Sequence, residues 1–466
     1  MSRTHRIQIV QKELKRDGKD VKMRKKAILI FMKYPEPGRV KTRLSKSIGR
    51  EQACNIYQKL VRRTLGMVSD FRHAHTETDL FLFYYPSERE AQLRKAYPGP
   101  WTFTPQISGH LGEKMDNAFN HVFTKGYGHA VLIGTDIVDI MTSDIADAFQ
   151  ALNENQSVLG PAQDGGFYLI GLSSINNEIF NFPSWSTPSV FERTFNCFHN
   201  SDHRVRTLDK RHDIDEKKDL IYFNSNLLFQ DHISIIIPYL NETKKLASLV
   251  DCLEAQLWPG DEIVLVKGNG SPELGAKNIT PHTRLMFATK GRGNQLNQGA
   301  RVAQGNIFWF LHIDTAPPPN FGYHIRKLTH TRDMVLGCFE LTFQTSNIFL
   351  DIIYKWANFR TKYFNLPYGD QGLFCTRGIF DKAGGFKKQF LMEDVDFVRN
   401  CKKIGNLLIV SQPIHSSPQR YLRKGVLRAS LQNHFLILLY FLGVSDKRLY
   451  KFYYKEFETV HGISKR

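Results

Sequence analysis

Apolar residues fall in continuous blocks at several points along the chain. Ala27-Ile-Leu-Ile-Phe-Met32 is bounded by charge on both sides, the pattern of a strand buried on both faces. A Pro/Gly loop, Tyr34-Pro-Glu-Pro-Gly38, comes next. Ala53, Ile56, Tyr57, Leu60, Val61, Leu65 and Val68 then share one stripe of a helix. Asp79–Tyr85 and Ala130–Ile133 read as further strands, with a helix at Leu111–Phe123 between them. The pattern restarts at Ile233-Ser-Ile-Ile-Ile237 with another Pro-bearing loop and a helix at Thr243–Glu254. Strands at Glu262–Val266 and Arg284–Ala288, a helix at Gln295–Ala303 and a strand at Ile307–Leu311 complete it. Strands alternating with helices predict an α/β protein, each half an open, mostly parallel sheet flanked by helices. The expected divisions are a basic, flexible leader over 1–26, a domain over 27–222 and a second over 231–466, with a short polar seam near Asp219–His232.

A length of 466 residues and 53.8 kDa calls for more than one core. The net charge of +18 is unevenly placed. Residues 1–26 carry ten Lys/Arg against three acids, 27–230 carry 22 against 23, and 401–466 carry 12 against three. A nucleic-acid binder would spread its basic residues differently, so no nucleic-acid partner is expected. Six cysteines without a Cys-x-x-Cys spacing argue against a zinc site and for buried thiols in a reducing cytoplasm. The leader has no apolar core of signal-peptide length, and the longest apolar run, Phe435–Val444, is too short to span a bilayer.

In an open α/β sheet, ligands bind beyond the carboxyl ends of the strands. Gly134-Thr-Asp136 and Gly160-Pro-Ala-Gln-Asp164-Gly-Gly166 lie at such ends in the first half. An aspartate there suits Mg²⁺ or Mn²⁺, which prefer carboxylate and phosphate oxygens. Gly38, Lys41 and Arg43 form a loop able to cradle a diphosphate, or else a solvated face beside a turn-forming Asp136. In the second half Asp314 follows Ile307–Leu311 and could bind the metal bridging a nucleotide diphosphate. Further on, Leu391-Met-Glu393-Asp394-Val-Asp396 offers a general base, or simply an acidic helix N-terminus favoured by the dipole.

These motifs carry a resemblance. Ile233–Glu242, Gly291-Arg-Gly-Asn-Gln295-Leu-Asn-Gln-Gly-Ala300, Leu311-His-Ile-Asp-Thr315, Pro367-Tyr-Gly-Asp-Gln371 and Leu391-Met-Glu-Asp394 resemble family 2 glycosyltransferases, in their rSAM/selenodomain-associated branch. The resemblance implies a GT-A fold, a nucleotide-sugar donor, Mg²⁺ or Mn²⁺, and inversion at the anomeric carbon. It implies Asp394 as base and Asp314 as metal ligand. Pro238, Glu242, Lys267, Arg292, Gln295, Gln419 and Arg420 would attend the donor. The chain departs from that branch at Val266-Lys-Gly-Asn-Gly-Ser271, where Lys267 replaces a base-recognising acid.

Pro35-Glu-Pro-Gly-Arg-Val-Lys-Thr-Arg-Leu44, Gly109–Met115, Gly134-Thr-Asp136, Gly160–Gly166 and Asp213-Ile-Asp215 resemble the companion transferase family, akin to sugar nucleotidyltransferases. That likeness implies a second GT-A-like domain in which Lys41, Arg43 and Asp164 meet the donor and Asp136, Asp213 and Asp215 hold metal.

Together these imply a two-domain glycosyltransferase that transfers a hexosyl group to a small-molecule or lipid-like hydroxyl. In one alternative the N-terminal domain is a sugar-phosphate nucleotidyltransferase that makes the donor. In another, one half is a non-catalytic binding module. Acceptor choice is expected from loops between Gln344 and Pro367. The basic and aromatic stretch Arg420–Lys455 is open to two readings: a peripheral contact with the inner face of the membrane, or a closing helix pair with solvated lysines.

Overall fold

A computed structural model describes residues 25–461, apart from 176, 183–184, 186, 201–203, 241–242, 269–279, 290, 344, 346 and 390. The leader up to residue 24, Glu242, and the end of the Lys267 motif from Asn269 to Ser271 lie outside the described residues. The chain divides into two compact units. The first runs to Lys33 and takes in Asp70–Ser87 and Trp101–Asp213; the second holds Tyr34–Ser69, Glu88–Pro100 and the chain from Ile214 on.

The first sheet contains β1 (Lys26–Lys33), β2 (Thr78–Tyr85), β3 (Trp101–Pro105), β4 (His129–Gly134), β5 (Ser157–Pro161), β6 (Phe167–Leu172) and β7 (Val205–Thr207), in the order β3-β2-β1-β4-β6-β5-β7. β1 pairs in parallel with both β2 and β4, and β6 runs antiparallel to β4 and β5. The central strand is continuous in apolar residues because both its faces are covered: Ala27, Ile28, Leu29 and Ile30 are fully buried.

The second sheet contains β8 (Ile233–Tyr239), β9 (Glu262–Gly268), β10 (Thr283–Ala288), β11 (Ile307–Phe310), β12 (Thr315–Ala316), β13 (Met334–Phe343), β14 (Phe374–Thr376) and β15 (Asn406–Ser416). Its order is β10-β9-β8-β11-β14-β13-β15-β12. With β12 set aside, this is the order of the first sheet with the same parity at every step: β8 parallel to β9 and β11, β14 antiparallel to β11 and β13, β13 parallel to β15.

The described helices are α1 (Thr42–Ile48), α2 (Arg50–Ala74), α3 (Glu90–Ala96), α4 (Leu111–Phe123), α5 (Thr142–Asn153), α6 (Val190–Asn200), α7 (Leu220–Ser225), α8 (Thr243–Glu254), α9 (Arg292–Val302), α10 (Phe321–Thr329), α11 (Ile348–Phe364), α12 (Arg377–Ala383), α13 (Glu393–Lys402), α14 (Gln419–Lys424), α15 (Val426–Phe441) and α16 (Asp446–His461). α4 starts cleanly because His110 and Glu113 cap one another reciprocally. α9 carries many polar residues yet lies against the sheet, since Gly299 has no Cβ to strike Ile236 Cγ2, which would stand only 2.4 Å away. The expectation of loops between Gln344 and Pro367 is corrected: 17 of those residues form α11, whose Leu350, Ala357 and Thr361 are buried. The second unit is also pinned by Arg326, fully buried, which donates to Gly322 O at 3.0 Å and Asp231 O at 3.1 Å and pairs with Asp261. No helix among the described residues is long and apolar enough to cross a membrane.

Candidate functional site

Beyond the carboxyl ends of β8 and β11 lies a cavity of about 950 Å³. Pro238, Arg292, Gln295, Asp314 and Asp394, separated by up to 156 positions in sequence, all line it. The acids come from separate elements. Asp314 is exposed in the turn after β11 and just before β12, and its carbonyl accepts from Ser417 N at 3.0 Å. Asp394 opens α13, where the backbone enters through Met392 at φ 67.

The Asp394 carboxylate is held at both oxygens, Oδ2 by Gly369 N–H at 2.8 Å and Oδ1 by Val395 N–H at 2.8 Å. Gly369 is required there: a Cβ would stand 2.6 Å from His312 Nε2 and 3.4 Å from Asp394 Oδ2. The turn that carries Gly369 is itself tied down. Gln371, fully buried, accepts from Thr361 Oγ1 at 2.8 Å and donates to Phe339 O at 3.1 Å.

Two acids at this site have displaced ionisation. Asp370, on the same turn, is pushed up to about 6 by burial and by Asp394 and Asp314, against the pull of Arg360. Its Oδ1 is buried without a hydrogen-bond partner among the described residues. Glu393 is pushed up to about 7 by burial and Asp394, with Arg292 acting the other way; Arg292 Nε lies 3.7 Å from Glu393 Oε1. Burial and Arg292 hold His312 well below its ordinary value, so its imidazole is neutral at pH 7. Arg360 stacks its guanidinium 3.4 Å from the Tyr368 ring centre.

The remaining sequence-derived candidates are placed differently. Gln295 faces the cavity, but its buried amide donates to Tyr239 O at 3.1 Å and Val266 O at 2.8 Å, joining the ends of β8 and β9. Lys267 is buried at the end of β9, over the Phe287 ring at 5.5 Å, and is not among the residues that line the cavity. Gln419 accepts from Lys245 Nζ at 2.9 Å. Arg420 lies in the first turn of α14.

In the first unit, Asp136 is half-buried after β4, and a bridge between Ile137 and Asp213 brings the second acid's backbone alongside. Asp164 is exposed, and its Oδ1 accepts from Gly166 N at 2.9 Å, closing its own loop. In the second unit, Arg43 is paired with Asp215 at 2.9 Å, and Lys41 is buried at φ 48 just before α1. Among the described residues no group of three or more His, Cys, Asp or Glu is arranged to hold a metal by itself.

Sequence reasoning assigned no role to Asp370 or Arg360, although Asp370 stands within the Pro367–Gln371 motif. Only the fold places them beside Asp314 and Asp394.

Residues 234–382 match glycosyl transferase family 2, and residues 71–187 match a family described as an uncharacterized protein conserved in bacteria (DUF2064). No curated protein matches the chain. A solved structure from Desulfovibrio desulfuricans G20, assigned as a nucleotide-diphospho-sugar transferase, is 33% identical, covering 44% of this chain and 88% of its own, with a TM-score of 0.40. A mannosyltransferase from Pyrobaculum calidifontis, in complex with GDP-Man and Mn²⁺, is 13% identical over 42% of this chain and 63% of its own, at a TM-score of 0.32. Glucosyl-3-phosphoglycerate synthase from Mycobacterium tuberculosis, with Mn²⁺, UDP and phosphoglyceric acid, is 14% identical over 39% and 69%, at 0.31. Residues 234–382 thus match glycosyl transferase family 2, and the chain is an enzyme of the glycosyltransferase class.

Proposed function

We propose that the C-terminal domain, 231–466, moves a sugar from a nucleotide-diphosphate donor to an acceptor hydroxyl by a single inverting displacement, with Asp394 as general base. The observation that carries this reading is the convergence of Asp314, Asp370 and Asp394 on one cavity that also presents Arg292 and Arg360. Asp394 accepts the acceptor's proton as its oxygen bonds to the anomeric carbon. The sugar–phosphate bond breaks with its electron pair passing to the diphosphate. Two backbone N–H groups already bonded to Asp394 aim its carboxylate. Arg292 and the N-terminus of α9 lie where a diphosphate would meet positive charge.

Mg²⁺ or Mn²⁺ fits this donor set. Asp314 is a carboxylate beyond a strand end, and Asp370 Oδ1 is a buried carboxylate oxygen without a partner among the described residues. These two residues would hold the cation. When bound, it neutralises the leaving diphosphate.

Lys267 is read as a determinant of donor choice acting through the end of β9. The N-terminal half is read as a second transferase of the same fold, using Asp136 and Asp213.

The test is release of nucleoside diphosphate from a panel of UDP-, GDP-, ADP- and TDP-sugars with Mn²⁺, in wild type and in Asp314→Ala. One donor consumed by wild type and not by Asp314→Ala supports the reading; equal turnover by both overturns it.

A further inference from the structure

α11 and α15 pack against one another within the second unit, and each leaves an apolar stripe in solvent. On α11 the stripe is Ile348, Ile352, Trp356, Phe359 and Tyr363, at helical spacing; Ile348 is 68% exposed and Tyr363 62%. On α15 it is Leu427, Leu431, Phe435 and Leu438, continued by Leu442 at the helix C-cap, with Leu431 70% exposed and Leu442 71%. Soluble proteins scatter such residues singly, and two adjacent stripes of five mark a surface that is covered in use.

Two further observations identify the cover. The first is charge. Lys355 and Lys362 on α11, Arg423 on α14, and Lys447, Arg448 and Lys451 on α16 are exposed around these stripes. Residues 419–461 carry eight Lys/Arg against three acids. A second copy of the chain would bring this basic rim against itself, whereas an anionic bilayer complements it.

The second is continuity with the active cavity. Trp356 lines the cavity and is also 45% exposed on the α11 stripe. Its ring lies 6.4 Å from that of His434, another lining residue on α15. The cavity is also walled by Phe343, Ile353, Tyr421, Leu436, Ile437 and Tyr453. Aromatic and aliphatic walls of this kind suit a hydrocarbon chain.

We infer that α11 and α15 dock on an anionic phospholipid bilayer and that the acceptor is a lipid of that bilayer, its apolar chain lying along the Trp356–Tyr453 end of the cavity and its hydroxyl reaching Asp394. The choice of acceptor rests on the transfer reading given above; the docking surface does not. Cations around the stripes draw the domain to the surface, and the apolar residues then enter the interface. α11, which is corrected from loop to helix, thereby becomes both part of the membrane face and part of the acceptor wall.

The test is co-sedimentation of the full chain, without donor, with phosphatidylcholine vesicles and with vesicles containing 30% phosphatidylglycerol, at low and high salt. Wild type is expected to pellet with the anionic vesicles at low salt and at least tenfold less with the neutral ones. Leu431→Glu/Leu438→Glu lowers partitioning at least tenfold, and Lys447→Glu/Arg448→Glu weakens the salt dependence; circular dichroism and melting confirm that both variants fold. Asp394→Asn pellets like wild type, so loss of transfer and loss of docking are read separately.

No pelleting at low salt overturns the docking, as does pelleting unchanged by the leucine substitutions. A dimer in light scattering that Leu431→Glu/Leu438→Glu dissociates in the absence of vesicles assigns the face to a second copy and overturns it too. Docking with label from the sugar donor recovered in the lipid extract supports the acceptor assignment; label confined to water-soluble product overturns it.

Discussion

The two sheets share strand order and parity, yet differ in how some of the acids around them are held. In the first unit three carboxylates are engaged by protein. Asp144 takes two bonds from Arg211, at 2.6 and 3.1 Å, Asp139 takes two from His212, both 2.9 Å, and Asp164 closes its own loop. At the corresponding end of the second sheet, Asp370 has a buried oxygen with no partner among the described residues, and Glu393 is displaced toward its neutral form. One topology thus supports two arrangements, and an acid at a strand end says little until its partners are known. A carboxylate already neutralised by Arg or His is built into the fold. A buried one without a partner is costly unless something else completes it.

The contrast can be broken most sharply at Asp394. Asp394→Asn is expected to lower sugar transfer by about 10² to 10⁴ while nucleotide-sugar binding persists, since it removes the proton acceptor and one of the two backbone bonds but none of the donor contacts. Turnover from the cognate donor, read beside calorimetric binding, checks it. Next in size is the buried Arg326–Asp261 pair. Asp261→Ala leaves a guanidinium in the core and is expected to cost about 3–4 kcal/mol in urea unfolding. Asp144→Ala is expected to cost less, because Arg211 keeps some contact with water.

A third test uses pH. Glu393 binds its proton more tightly folded than unfolded, so its contribution to stability is fully present below its ordinary value and is lost as pH rises through about 7. Between pH 5 and 8 wild type is therefore expected to lose stability relative to Glu393→Gln, on the order of 2 kcal/mol, in paired melting curves. The smallest effect is expected at Arg43, paired with Asp215 where both side chains meet solvent. Arg43→Ala should change stability by about 0.5 kcal/mol, and less in high salt.

Much of the fold is legible in the chain because apolar runs and helical stripes are local signals. The helices Leu111–Phe123 and Thr243–Glu254 end where their periodicity ends. Other elements carry no such signal. α9 begins at Arg292 rather than Gln295, since its first turn, Arg-Gly-Asn, is polar and buries only the glycine. β15 holds Pro413, and its pairing with β13 slips between Phe339 and Glu340, so its alternation is interrupted.

At the site, Asp314 and Asp394 were readable from motifs, and the fold brings both to one cavity. Asp370 was not, because its character comes from Asp314, Arg360 and Asp394, none of them within nine residues of it. Gln295 illustrates the reverse case: its motif suggests a ligand contact, and its amide is occupied with strand carbonyls.

The central claim is that donor binding belongs to the cavity at the second sheet. Thermal shift with nucleotide-sugars and Mn²⁺ on wild type, Asp314→Ala and Asp136→Ala tests it most directly. The account predicts that one nucleotide-sugar stabilises wild type and Asp136→Ala alike and leaves Asp314→Ala unmoved. Stabilisation that survives in Asp314→Ala and vanishes in Asp136→Ala would contradict it.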